Sequence, residues 1–170
     1  MALAHLEEIE VGASFKTGRR TVTEADIVAF AGVSGDFNPL HTDEIFAREE
    51  TPFEGRIAHG PLVLSISYGL GSLRDEWKIL ALVECQRRFR APVYPGDTVW
   101  AECEVLETRP SRSRPGTGFV TLGVHIHSDR GQVVQEGRDV VMVASRSGQA
   151  EAEQPASEGQ RQRQGAESEG

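Results

Sequence analysis

The chain has 170 residues, with 18 Lys plus Arg against 26 Asp plus Glu and a formal charge of -8. That length suits one domain with a real core, while the acidity and the lack of any local basic surface argue against a nucleic-acid partner. Ser147 to Gly170 hold five Glu and two Arg, so this stretch carries -3 and residues 1–146 only -5.

The N-terminus shows no basic segment followed by an apolar one, and no apolar run approaches the roughly 18 residues that span a bilayer. No membrane partner is expected, and the cytoplasm is the expected location. Cys85 and Cys103 fall in apolar, strand-like runs, where a free thiol serves as a small hydrophobe, so no disulfide scaffold is indicated.

In chain order, Ala13 to Lys16 and Thr21-Val22 read as short strands. Thr23 with Asp26 forms a capping-box pattern, Ile27, Phe30, Ala31 and Ser34 recur at helical spacing, and Gly35 ends that helix. Pro39 then breaks the pattern, because it lacks a backbone donor and biases Asn38 toward an extended conformation. Thr42 or Asp43 can cap a second short helix carrying Ile45, Phe46 and Ala47. Asp36 and His41 therefore stand on the two lips of one tight connection.

Gly60 to Leu73 begins with Pro61 at a suitable first-turn position and is apolar on nearly every face, which predicts an enclosed helix. Four strand-like runs follow, Ile79 to Phe89, Thr98 to Thr108, Gly118 to Ser128 and Gln132 to Ala144. Val120, Leu122, Val124 and Ile126 alternate cleanly. Tyr94-Pro95-Gly96-Asp97 and Ser128-Asp129-Arg130-Gly131 suit turns with Gly at positive φ. The expected class is α+β, an antiparallel sheet wrapped around the buried helix. The domain is expected to end at residue 146. Residues 147–170 contain no Val, Leu, Ile or aromatic residue, and a disordered polar tail is expected there.

A carboxylate and an imidazole five positions apart on a Pro-stiffened loop can converge for general acid and base work. The bland alternative is that Asp36 ends one helix and His41 caps the next. Phe30-Ala31-Gly32-Val33-Ser34-Gly35-Asp36-Phe37-Asn38-Pro39-Leu40-His41, with Ala47 six residues on, resembles the signature of the MaoC-like dehydratases, the (R)-specific enoyl-CoA hydratases. Ile57-Ala58-His59-Gly60 before an apolar helix is similar to a second landmark of that family. The likeness spans roughly residues 8 to 145.

The resemblance implies a hot-dog fold, a curved antiparallel sheet around a central helix, usually as a homodimer joined edge to edge, or as a higher homo-oligomer. It also implies Asp36 and His41 as the catalytic pair. They would add water to a trans-2-enoyl-CoA or remove it from an (R)-3-hydroxyacyl-CoA, with no cofactor beyond the thioester carrier. Such a reaction needs a donor at the thioester oxygen, a role assigned to the Gly60 N–H at the positive end of the helix; the plainer role is an N-cap.

Asn38 is expected to hold the loop through nearby backbone and to help aim the pair. The Ser65 hydroxyl either faces Asp36 or bonds a carbonyl of its own helix. His59 is expected to be structural, its ring satisfied by backbone. Arg87, Arg88 and Arg90 cluster at a strand end and are candidates for coenzyme A phosphates, against a merely solvated strand end. His125 and His127 share a strand face but lack a third ligand, so no catalytic metal is expected.

Three rivals remain: a dehydratase acting on acyl carrier protein thioesters, a non-catalytic acyl-thioester-binding subunit, and a hot-dog thioesterase. The last usually places a carboxylate on the central helix, and residues 61–73 contain none.

Overall fold

A computed structural model describes residues 3–147. Strands β1 (Ser14–Lys16) and β2 (Arg20–Thr21) lead into helices α1 (Glu24–Ser34), α2 (Pro39–Thr42), α3 (Glu44–Glu49) and α4 (Gly60–Tyr68). Strands β3 (Ile79–Phe89), β4 (Thr98–Pro110), β5 (Thr117–Ser128) and β6 (Val133–Ala144) follow. The four runs read as strands are strands, with ends shifted by at most two residues.

Local chemistry sets the boundaries. Thr23 caps α1 in a reciprocal box with Asp26, and Gly35, at φ 75°, closes it by donating to Ala31 O. Asp43 caps α3 by accepting from the Ile45 and Phe46 amides. Pro39 does not simply hold a loop: it opens α2, with Asn38 as cap, because proline fits a first helical position whose N–H has no partner. Gly96 and Gly131 turn the chain at φ 96° and 79°.

The sheet is antiparallel, in the order β1-β4-β5-β6-β3, with β2 also paired to β4. Alternation sends Val99, Ala101, Cys103 and Val105 of β4, and Val120, Leu122, Val124 and Ile126 of β5, into the core. They meet Leu62, Val63 and Ile66 of α4, buried side chains each contributing roughly 1.5–3 kcal/mol. This is the wrapped-helix arrangement that the resemblance implies.

Three expectations are corrected. The central helix stops at Tyr68, because Gly69 and Gly71 weaken it and Ser72 caps a separate 3-10 turn, Leu73–Glu76, with Asp75. It is also not enclosed on every side, since Pro61 and Ser65 are exposed. Cys103 is buried but Cys85 is exposed, because β3 is the edge strand and has a neighbour on one side only. The Arg146 and Ser147 amides both donate to the Glu7 carboxylate, so Ser147 is tied to the domain; the rest of the expected tail, 148–170, lies outside the described residues. Among the described residues no helix is long and apolar enough to cross a membrane.

Candidate active site

The left-handed turn at Gly35 delivers Asp36 to the rim of the site. The Asp36 N–H donates to Ser34 Oγ, and its Oδ1 accepts from the Asn38 N–H at 3.2 Å, which braces the carboxylate within its own bend. Asn38 Oδ1 accepts from the Leu40 N–H at 2.9 Å. The Asn38 side chain is therefore spent on capping α2, and its backbone amide does the aiming.

His41, on α2, is buried, and its Nδ1 lies 2.8 Å from Ile57 O. A carbonyl only accepts, so Nδ1 carries the hydrogen and Nε2 of the neutral ring presents a lone pair. That nitrogen stands 3.9 Å from Asp36 Oδ2, beyond direct hydrogen-bond range. The sequence brings the two groups together as expected, but with a gap between them.

His59 makes more contacts than the sequence suggested. Its Nε2 donates to Asp36 O at 2.9 Å, and its ring stacks on His41 with centroids 3.7 Å apart, so one buried ring supports both members of the pair. Asp36, His41 and His59 also bring one potential metal-ligating atom each within 4.8 Å of one another. One nitrogen of each imidazole is committed to a backbone carbonyl. His125 and His127 belong to no such trio among the described residues, and His127 instead stacks on Trp100 near Glu102.

An apolar cavity of about 380 Å³ opens beside His41, walled by Leu40, Phe53, Ile57, Gly60, Phe89 and Gln135 among others. Asp36, with its side chain 51% exposed, stands at the rim and not in the wall. Gly60 opens α4, and among the described residues its N–H meets no acceptor. A Cβ there would lie 2.5 Å from Phe89 Cε1, so glycine admits the ring. His41 in the wall, Asp36 at the rim and Gly60 at the positive end of α4 thus border one apolar space.

The remaining candidates separate. Ser65 Oγ donates to Pro61 O at 2.8 Å on the exposed face of α4, so the hydroxyl bonds its own helix and does not face Asp36. Arg87 is not available to a phosphate. Its side chain is 3% exposed and forms a two-pronged pair with Asp139 at 2.8 and 2.9 Å, which Tyr68 Oη joins at 2.9 Å. Burial would lower the Arg87 pKa, but the bonds and charge of Asp139 hold it raised. Burial and the same carboxylate push the Tyr68 phenol well above its ordinary range. Burial also raises the Cys103 thiol to about 11, which leaves it inert.

Arg88 points to a different groove, on the outer face of the sheet with Gln86 and Arg138. Of the three arginines, Arg90 alone lines the cavity; its guanidinium also pairs at 3.2 Å with Glu136, which belongs to the outer groove.

Beneath the bend, Arg56 ties Glu24 of α1 to Glu44 of α3, beside the Ile57 carbonyl that holds His41. Sequence reading missed Arg56, Gln135 and Phe89, whose partners lie far away in the chain.

A family model described as MaoC like domain matches residues 7–126. The chain is 36% identical over 146 residues to an (R)-specific enoyl-CoA hydratase of Rhodospirillum rubrum, covering 86% of this chain and 96% of that one. It is 34% identical over 114 residues to a 3-hydroxybutyryl-CoA dehydratase of Methylorubrum extorquens, covering 67% and 71%. A solved MaoC-like dehydratase from Rhodospirillum rubrum superposes with a TM-score of 0.70 at 34% identity, over 84% of this chain and 98% of that one. With its curved sheet around α4 and its bend from Asp36 to His41, the chain belongs to the MaoC-like family of hot-dog proteins.

Proposed function

We propose that the protein is a hydro-lyase that adds water to trans-2-enoyl-CoA to give (R)-3-hydroxyacyl-CoA, or catalyses the reverse dehydration. The observation that carries this reading is the 3.9 Å gap between His41 Nε2 and Asp36 Oδ2 beside an apolar cavity. A water oxygen about 2.8 Å from both atoms fits that gap, donating one hydrogen to each. Both groups are acceptors, so the lone pair of the water is left to point at the β-carbon.

As the oxygen attacks that carbon, His41 Nε2 takes one of the water's protons, and the Asp36 carboxylate stabilises the imidazolium so formed. The C=C electrons move toward the thioester, and the negative charge reaches its oxygen. The Gly60 N–H meets that charge at the positive end of α4. His41 then returns the proton to the α-carbon. One water has been added across one double bond, with no oxidant or reductant required, so the step balances without a cofactor other than the coenzyme A carrier. Arg90 at the cavity wall is the residue we place nearest the carrier phosphates.

The working unit is a homodimer. Leu80, Leu82 and Val83 are about half exposed along edge strand β3, an unpaired apolar edge that a second copy of β3 would pair and cover. The free thiols Cys85 and Cys103 suit the cytoplasm, where we place the protein.

The test is to incubate the protein with trans-2-enoyl-CoA thioesters of increasing chain length and resolve the product by chiral analysis. The (R)-3-hydroxyacyl-CoA is the expected product. The (S) product, or free coenzyme A released without hydration, rejects the proposal. Faster turnover of the matching acyl carrier protein thioester would replace coenzyme A as the carrier.

A further inference from the structure

We infer that Gln135 is a positioning residue that fixes the Gly60 N–H for its charge-stabilising role, an inference that rests on the hydratase reading above. Gln135 is 2% exposed, sits on β6 and forms part of the wall that His41 and Gly60 also line. Its Nε2 donates to Gly60 O at 2.8 Å. Its Oε1 is buried and has no partner among the described residues.

As a device for stability this is a poor exchange. One hydrogen bond is made and one acceptor is left unsatisfied, and the loss from the second outweighs the gain from the first. An apolar side chain of similar volume would serve the core at least as well. The use of the amide therefore lies in what it holds.

Gly60 is the least constrained residue type, and it stands directly before Pro61, a position biased away from helical backbone angles. It nevertheless opens α4, lines the cavity, and among the described residues its N–H meets no acceptor. A donor assists a developing charge only if it is already aimed before the charge appears. The Gln135 bond restrains the Gly60 carbonyl, and the Phe89 ring closes on its α-carbon. Phe89 and Gln135 are partners in the β3–β6 register, so a single rung at the sheet edge clamps the start of the helix.

The test uses the full chain and three readouts: turnover of crotonyl-CoA, melting temperature, and the absorbance red shift of bound 4-(dimethylamino)cinnamoyl-CoA, which reports polarisation of the thioester carbonyl. Gln135→Met is expected to lower kcat by about tenfold to a hundredfold, with KM within about twofold. Its melting temperature should be unchanged or raised and its red shift reduced. Gln135→Glu keeps the side-chain length but replaces the donor with an acceptor, and should lose the red shift as well. Wild-type kcat in Gln135→Met, or a full red shift in both variants, overturns the inference. So does a fall in kcat that merely follows a fall in melting temperature. If the wild-type protein neither hydrates crotonyl-CoA nor shifts the probe, the hydratase reading fails first and takes this inference with it.

Discussion

Two of the protein's acid–base pairs, set on the same sheet-and-helix frame, are built in opposite ways. Arg87 and Asp139 are sealed, with side chains 3% and 1% exposed and two bonds under 3 Å, and Tyr68 completes the set. Asp36 and His41 stand 3.9 Å apart, the carboxylate half exposed, with each group anchored by backbone and not by the other. A closed pair sealed from solvent offers no acceptor that a reactant can reach, so it holds structure. The open pair leaves room for a water and keeps both acceptors free.

The contrast fails most visibly if the open pair proves dispensable. Asp36→Asn and His41→Ala are each expected to lower crotonyl-CoA turnover by at least about a hundredfold, the scale of a lost acid or base, with little change in melting temperature. A melting temperature that falls along with the rate would make the bend structural.

The closed pair should behave the other way. Asp139→Asn strands a buried guanidinium and is expected to cost about 3–5 kcal/mol of stability, measured by denaturant unfolding, while rate per folded molecule is largely kept. Replacing both partners by apolar residues should cost much less than the single change.

Gly60→Ala crowds the cavity wall beside the open pair. The new Cβ would lie 2.5 Å from Phe89, so the ring must move, and kcat/KM is expected to fall about tenfold. Phe89→Leu in the same chain should recover part of the loss. Full activity in Gly60→Ala alone would show that the helix start tolerates displacement.

The smallest effect belongs to Glu7, which joins the N-terminal turn to the end of β6. The Ser145 hydroxyl, with backbone amides of Arg146 and Ser147, lowers its pKa from 4.5 to about 2. Because the folded-state pKa is depressed, its stabilising contribution is present above about pH 4.5 and is lost as pH falls toward 2. Glu7→Gln should flatten the stability profile in that window, and an unchanged profile would remove Glu7 from the account. The site pairs should be indifferent to this change.

How much of this was readable beforehand depended on distance along the chain. Local signals served well: Thr23 and Gly35 bound α1, Val120 to Ile126 alternate into the core, and Asp36 and His41 meet across five residues. Signals that need a partner from another element did not. Nothing near Arg87 announces Asp139, 52 residues away, and nothing near Gly60 announces Gln135, 75 residues away. The exposure of Cys85 follows from β3 lying at the sheet edge, which strand alternation alone does not reveal. The sequence predicts a backbone partner for the His59 ring, and the ring has one, but the carbonyl it bonds is that of Asp36, which makes a structural bond part of the site.

The most direct test follows oxygen. In water enriched in oxygen-18, the wild-type protein should wash label into the 3-hydroxyl of (R)-3-hydroxybutyryl-CoA through repeated dehydration and rehydration, and Asp36→Asn and His41→Ala should not. Label appearing in a released carboxylate, or exchange at the wild-type rate in either variant, would contradict the account.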